Sequence, residues 1–149
     1  MADRNPPDPF PAFNFIVKID DVTLKTGFSE CSGISMESDP IEYRNGDEKF
    51  NSVRKLGGLA KFGNITLKRG FTQNAKELWE WRKKVIDGKT KDARTNGSIT
   101  LLDEAREPAL QWDFEDAWPR KLDGPTFNAK TNEAAIETLE IVVERIKLV

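Results

Sequence analysis

The alternation of apolar and polar residues predicts that most of this chain is β-strand. Between residues 13 and 19 an apolar side chain recurs at every second position, which is the spacing of a strand with one buried face. Asp20 and Asp21 then predict a turn into a second strand over 22–28, so that the two strands form a hairpin. Four further segments have strand-like patterns bounded by turn residues: 34–43, 64–68, 98–102 after the Asn96-Gly97 turn, and 110–114.

One segment, 75–87, has the helical period instead. At about 100° per residue its apolar side chains fall on one arc and most of its charged side chains fall on the other. Asn74 is a candidate N-cap, Glu77 stands at the position of its capping-box partner, and Gly88 is a stop signal. The apolar arc, which we expect to pack on the sheet, consists of Ala75, Leu78, Trp79, Trp81, Val85 and Ile86.

The two ends of the chain have weaker patterns. The first twelve residues contain four of the eight prolines, which predicts an extended arm over 1–12. Residues 133–149 combine a helical stripe of apolar side chains with a β-branched run at 141–143, so pattern alone leaves helix and strand open. The length of 149 residues is typical of one domain with its own core.

Charge is segregated along the chain, although the formal net charge is only -2. Residues 49–94 carry thirteen Lys or Arg against four Asp or Glu, whereas the segments on both sides are acidic. From Lys49 to Arg69 there are six basic residues and no acidic residue. Asn45-Gly46 and Gly57-Gly58 supply residues that adopt positive φ, so we predict a protruding, basic hairpin or loop over 45–62.

A basic surface attracts either nucleic acid or an acidic protein surface. The pI of about 5.4 and the presence of only Phe50 and Phe62 as interleaved aromatics favour self-association over nucleic-acid binding. A nucleic-acid-binding module that uses residues 49–69 stays open as the alternative. A plain solvated surface is the third interpretation.

The composition excludes most catalytic chemistry. The chain has no His and one Cys, which removes zinc sites and His-based acid–base machinery. A carboxylate hydrolase is conceivable with Asp113, Glu115 and Asp116, or with Asp103 and Glu104. However, Asp113 and Glu115 alternate with apolar neighbours as the solvent side of a strand does. We therefore predict no catalytic residue, no metal site and no cofactor.

The single cysteine and the hydropathy pattern bear on cellular location. Cys31 has no partner for an internal disulfide, and we expect it to be a small buried side chain. No apolar run approaches the roughly 20 residues of a membrane span, and the N-terminus has no hydrophobic signal core. We expect no membrane anchor and a cytoplasm-like compartment.

Seven segments, in order along nearly the whole chain, resemble the tail tube proteins of contractile bacteriophage tails and of phage-like contractile injection systems. They are FSECSGI (28–34), EYRNGDEKFNSVRKL (42–56), NITLKRG (64–70), LWEW (78–81), NGSITLLDE (96–104), AWPRKLDGP (117–125) and NEAAIETLEI (132–141). Gly58 departs from the family pattern, which has Pro there, and the C-terminal VVERIKLV lacks a His-containing variant.

The resemblance implies a single tail-tube domain over 1–149, mainly β with one flanking α-helix, in a β-barrel or sandwich with 133–149 as strand. It also implies hexameric rings that stack head-to-tail into a hollow, rigid tube inside a contractile sheath. The sheath drives this tube through a target envelope to deliver DNA or protein cargo. Expected partners are the chain itself, the sheath protein, baseplate and tube-capping proteins and cargo in the lumen. Assembly is expected in the bacterial cytoplasm, as part of a phage tail or injection particle.

Two surfaces are then expected to carry contacts between subunits. In a head-to-tail stack the basic segment of one ring meets the opposite face of the next, where opposite charges favour register. For the contact between rings we predict apolar anchors at Phe50, Val53, Leu56 and Leu59, together with the charged Asp47, Lys49, Arg54 and Lys55. For the sheath we predict the outer face of the helix, with Lys76, Glu80, Lys83 and Lys84. Within a ring we expect backbone pairing of sheet edges.

Overall fold

The computed structural model describes residues 6–149. This part of the chain contains nine β-strands, two α-helices and one turn of 3₁₀-helix over Gln73–Ala75. The helices are α1 (Lys76–Ile86) and α2 (Thr90–Ala93). The strands are β1 (Phe15–Ile19), β2 (Glu30–Ser32), β3 (Met36–Tyr43), β4 (Arg54–Phe62), β5 (Ile65–Gly70), β6 (Thr95–Leu102), β7 (Pro108–Asp123), β8 (Ile136–Val142) and β9 (Arg145–Leu148).

Seven of the strands form one antiparallel sheet that bends into two halves at β7. The strand order is β1-β6-β7-β8-β5-β2, and β9 pairs with β7. The first part of the 16-residue β7 lies between β6 and β9, whereas its last part pairs with β8. Buried residues of both halves, among them Ile99, Phe114, Leu67 and Leu139, form one core cluster. The prediction of a mainly β fold with a flanking helix is confirmed.

The bend in β7 has a local cause in the sequence. Asp116 adopts a positive φ of 53°, and its backbone N–H donates to Asn96 Oδ1 at 3.1 Å. Opposite this point, a Cβ on Gly97 would lie 2.4 Å from the Phe114 ring and 2.4 Å from the Lys18 carbonyl oxygen. Gly97 is therefore needed inside β6 for close packing, and the predicted turn at Asn96-Gly97 is wrong.

The strand predictions succeed where the pattern is local. β6 and β7 contain the predicted segments 98–102 and 110–114, and β3 and β5 cover most of the predicted segments 34–43 and 64–68. The strand implied by the resemblance for 133–149 is present as β8 and β9. The predicted hairpin over 13–28 is wrong. β1 pairs with β6, with Phe15 opposite Leu101, and a single bridge joins Ile19 to Val22 after the turn. Beyond that bridge the chain is a loop, because its apolar side chains pack against the core cluster instead of extending along β1.

Helix α1 lies on the bent sheet with part of its predicted apolar arc inward. Leu78 and Trp81 are buried, and Trp81 Nε1 donates to the Ala93 carbonyl at 2.7 Å. By contrast, Trp79 and Ile86 are 57% and 61% exposed, so the arc is narrower than predicted. A helix needs only a stripe of apolar side chains to cover a sheet.

The ends of the helical segment differ in how well they were predicted. The predicted cap at Asn74 is wrong, because the N-cap position of α1 is Ala75, which makes no side-chain capping hydrogen bond. Thr72 caps the preceding 3₁₀ turn, and its Oγ1 accepts from the Asn74 N–H at 3.1 Å. At the other end, Gly88 has a φ of 79°, and the Lys89 N–H donates to the Lys84 carbonyl at 2.8 Å. With the Gly88-to-Val85 bond of 3.1 Å this is a Schellman motif, which confirms the predicted stop.

The predicted arm lies partly outside the described residues, since residues 1–5 are not described. Residues 6–12 form neither helix nor strand, and nearly all of them are exposed. Among the described residues, no helix is long and apolar enough to span a membrane.

Candidate inter-subunit surfaces

Strands β3 and β4 form a hairpin that projects from the rest of the fold. Within residues 6–149 they pair with each other and with no other strand, and all eight residues of β3 are exposed. The connecting loop, 44–53, is held by Arg44, whose Nε donates to the Phe50 carbonyl at 3.0 Å and whose Nη2 donates to the Glu48 carbonyl at 3.2 Å. The hairpin therefore has a defined shape although it buries little surface of its own.

The Gly57-Gly58 pair makes a β-bulge and not the predicted turn. Ser38 lies opposite Ala60 and Pro40 opposite Gly57, so β4 has one residue more than β3 between these pairs. A Cβ on Gly58 would lie 2.1 Å from the Asp39 carbonyl oxygen. The glycine is thus required by close approach of the two strands, and this backbone has no room for the proline of the family pattern.

One face of the hairpin carries several exposed apolar side chains. Ile41 lies directly opposite Leu56, and Tyr43 follows two residues along on the same face. These side chains are 50–53% exposed, while Leu59 and Phe50 reach 86% and 79%. An isolated two-stranded sheet is marginally stable in water, and a contiguous apolar patch on it indicates an interaction site. The exposed large apolar residues of the hairpin are Met36, Ile41, Tyr43, Phe50, Val53, Leu56 and Leu59.

The eight residues predicted for the contact between rings all lie on this hairpin, and all are exposed. Asp47, Lys49, Phe50 and Val53 lie in the loop, and Arg54, Lys55, Leu56 and Leu59 lie on β4. Sequence reasoning missed the apolar residues of β3, namely Met36, Ile41 and Tyr43. Their alternation with polar residues was visible, but the pairing that puts Ile41 and Tyr43 on the face of Leu56 was not. The role of all these residues in ring contacts stays a prediction.

The predicted basic surface is largely neutralised within the fold. Arg54 Nε lies 2.8 Å from Glu48 Oε1, and Lys61 Nζ lies 2.5 Å from Asp39 Oδ2, which raises the pKa of Lys61. Lys55 is directly opposite Glu42 in the hairpin. Lys68 and Arg69 also have acidic partners, at Glu30 and at Glu77 and Glu137. Because acidic residues of other strands intersperse with it, segment 49–69 lacks the uniform positive field that favours nucleic acid.

The charged face of α1 is exposed as predicted. Lys76, Glu80, Lys83 and Lys84 are all exposed, whereas Leu78 and Trp81 on the same helix are buried. This face is therefore free within the described chain to contact another protein. Contact with a sheath stays a prediction.

Three of the five carboxylates considered for catalysis have structural partners. Asp113 Oδ1 accepts from Gln111 Nε2 at 2.7 Å, and Glu115 Oε2 lies 3.3 Å from Arg145 Nη1. Asp103 Oδ1 accepts from the Glu107 N–H at 2.9 Å within a turn. This arrangement is that of a polar outer face and a stabilised turn.

The hairpin, the bent antiparallel sheet and the flanking helix agree with one known family. The family model of the T4-like virus tail tube protein gp19 matches residues 11–147. The chain belongs to this family. Tail tube proteins are structural proteins and not enzymes, which agrees with the absence of His and with the roles of the carboxylates above.

Solved structures of contractile injection systems contain chains that resemble all or nearly all of this chain. One is the sheath–tube complex of an extracellular contractile injection system, PVC, in the extended state. It has 27% identity and a TM-score of 0.77, over 95% of this chain and 91% of that chain. Another is the tube-terminating cap of the anti-feeding prophage. It has 27% identity and a TM-score of 0.79, over 100% of this chain and 94% of that chain.

A more distant structure shows the fold alone. Hcp1 from Flavobacterium johnsoniae has 15% identity and a TM-score of 0.52, over 89% of this chain and 94% of that chain. A search of curated proteins gives no match.

Proposed function

We propose that this tail tube protein forms hexameric rings that stack head-to-tail into a hollow, rigid tube inside a contractile sheath. Contraction of the sheath drives the tube through a target envelope and delivers DNA or protein cargo through the lumen. The whole chain, 1–149, acts as one tail-tube domain. The observation that carries the proposal is the projecting β3–β4 hairpin with an uncovered apolar face.

The hairpin supports assembly for a physical reason. A soluble monomer gains nothing from exposing Ile41, Leu56 and Leu59 on a two-stranded sheet, because full burial of one such side chain contributes roughly 1.5–3 kcal/mol and these are at most half buried. A neighbouring subunit that covers this face recovers part of that free energy. In a stack of identical subunits, the same contact repeats at every ring.

Sheet edges support closure of a ring. Strands β1 and β2 end the strand order of the seven-stranded sheet, and each has one edge without a neighbouring strand within residues 6–149. Unpaired strand edges are stable in solution when another chain pairs with them or something covers them. We propose that edges of adjacent subunits pair within the ring.

The similar structures support the choice of proteins that we propose as partners of this chain. The 27% identical PVC protein occurs in a sheath–tube complex, and the 27% identical anti-feeding prophage protein occurs in a structure of the tube-terminating cap. We therefore propose a contractile sheath protein, capping proteins and a baseplate as partners of this chain. Assembly takes place in the bacterial cytoplasm, and the product is part of a phage tail or an injection particle.

Electron microscopy of the purified protein tests this proposal. We expect six-fold rings or tubes with a central channel, alone or when other tail components are added. If the protein stays monomeric at high concentration and moderate salt, with and without those components, the proposal is wrong.

A further inference from the structure

A second apolar surface lies between α1 and the sheet, and of the residues predicted for contacts with other subunits or the sheath only Lys76 lines it. It is a groove of about 290 Å³. The ring of Phe127 packs edge-on against that of Phe71, with centroids 6.5 Å apart, at its rim. The groove is lined by Phe71, Ala75, Lys76, Trp79, Leu122, Gly124 and Glu137.

The groove and the hairpin lie at opposite ends of the same strand. The hairpin ends at Phe62 and leads into the start of β5, whereas Phe71 follows the last residue of β5. The six residues of β5 span about 20 Å at roughly 3.3 Å per residue. Each subunit thus has an apolar projection at one end and an apolar concavity near the other. Two different complementary patches on one chain are what a heterologous, head-to-tail contact requires.

We infer that this groove receives the Phe50 side chain from the hairpin of a second copy of this chain. The inference rests on the proposed function, since it specifies a contact within the tube. It assigns Phe71, Trp79 and Leu122 as the receiving surface. In a stack built on this contact, the ring at one end has free hairpins and the ring at the other end has free grooves. Further subunits add at these ends.

Size supports an aromatic occupant. An apolar cavity on the order of 150 Å³ holds benzene, so a groove of about 290 Å³ accommodates one phenyl group with room for the adjoining backbone. Phe50 is the most exposed aromatic side chain of the hairpin, at 79%. Aromatic side chains that fill a pocket at the centre of an interface commonly provide much of the binding energy.

Charge supports the same orientation. Lys76 lines the groove and is exposed, and Asp47 is exposed three residues before Phe50 in the hairpin loop. Entry of Phe50 brings these opposite charges towards each other. Glu137, at the groove wall, is already paired with Arg69 and does not oppose an acidic neighbour as a free charge does.

Site-specific photo-crosslinking tests the contact directly. Phe50 is replaced by p-benzoylphenylalanine, and the variant is co-assembled with an excess of isotope-labelled parent protein so that tubes form even if the variant alone assembles poorly. After irradiation, we expect adducts on labelled peptides that contain residues 71–79 or 122–124. Adducts confined to other surfaces, or to the copy that carries the photoreactive group, overturn the inference.

A matched pair of variants gives an independent measurement. Trp79→Ala removes a groove wall, and Ile86→Ala removes a similarly exposed apolar side chain from the same helix outside the groove. We expect the mass of sedimented tubes to fall at least tenfold for Trp79→Ala and less than twofold for Ile86→Ala, with unchanged thermal melting of both. Equal tube yields from both variants and the parent overturn the inference while the proposed function stands. A parent that forms no tubes overturns both.

Discussion

Arg69 lies directly opposite Glu137 on the neighbouring strands β5 and β8, and its Nε donates to Glu137 Oε1 with both side chains buried. The same guanidinium donates from Nη1 to Glu77 Oε2 on α1 at 3.1 Å and from Nη2 to the Asn74 carbonyl at 3.0 Å. It also lies 5.6 Å from the centroid of the Phe28 ring. One buried arginine therefore joins the sheet, the start of the helix and the preceding loop.

Arg69→Met is expected to lower the free energy of unfolding by about 3–5 kcal/mol, because it leaves the buried Glu137 carboxylate and the partly buried Glu77 carboxylate without their counter-charge. Adding Glu137→Leu removes one of these carboxylates and is expected to restore part of the loss. Urea unfolding of the protein under conditions where it is monomeric measures both effects.

The control for this prediction is an exposed ion pair. Lys121 Nζ lies 3.4 Å from Asp123 Oδ2 at the surface, and loss of such a pair costs about 1 kcal/mol or less. If Arg69→Met shifts the urea midpoint no more than Lys121→Met does, the arginine is not the connection we describe.

Phe50→Ser combined with Leu56→Ser is expected to stop ring stacking while the domain stays folded, since both side chains are at least half exposed. Ile41→Ser is expected to have a similar effect because Ile41 shares the face of Leu56. Sedimentation and electron microscopy measure assembly, and thermal melting measures folding. Ile86→Ser, in the helix, is the control and should assemble normally. Normal tubes from the Phe50/Leu56 double variant would remove the hairpin from the interface.

Reversing Lys83 and Lys84 to Glu is expected to leave rings intact and to impair sheath assembly on the tube. Each exposed charge contributes about 1 kcal/mol or less, but the contribution repeats in every subunit of a polymer. Co-assembly with the sheath protein at physiological salt measures the effect. The control is Lys89→Glu combined with Lys91→Glu, which changes the net charge by the same amount at positions beyond the end of α1. Sheath assembly at the parental level by the first variant means that the sheath contacts another surface.

The Cys31 thiol is expected to react slowly with alkylating reagents. The Cys31 side chain is half-buried, and loss of hydration raises the pKa of its thiol from 9.0 to about 11. At pH 8 the thiolate is therefore roughly 100-fold scarcer than for a free thiol. Rates of iodoacetamide labelling with and without urea measure the difference. In the folded state the Cys31 thiol keeps its proton to higher pH than in the unfolded state. The thiol's contribution to stability is therefore complete below pH 9 and decreases as pH rises towards 11. Equal labelling rates in folded and unfolded protein would contradict the expected slow reaction of the folded thiol.

Local patterns in the sequence determined the class of fold and the position of the main surfaces. Alternation identified β5 and part of β6, because a strand with one buried face repeats every two residues wherever it lies. Gly88 identified the end of α1 because a positive φ is a local requirement. The glycine-rich basic segment identified the hairpin loop, and the order of short motifs identified the family.

Only the tertiary structure decided which strands are neighbours. β1 pairs with β6, about 80 residues away in the chain, and not with the adjacent segment that its turn suggested. The segment from Pro119 to Asp123 continues β7 because β8 pairs with it. Pairing between distant segments depends on the packing of the whole core, which no local window contains.

The tertiary structure also decided what each charge and each aromatic residue does. The basic segment became a series of ion pairs because the fold brings acidic residues of β2, β3 and the hairpin loop to Lys68, Lys61 and Arg54. Arg69 is buried with a counter-charge because Glu137 lies opposite it. Trp79 and Trp81 look alike in sequence, yet one is exposed beside the groove and the other is in the core. Sequence fixes the chemistry of a side chain, but its electrostatic environment and burial come from partners that only the folded chain brings within a few ångströms.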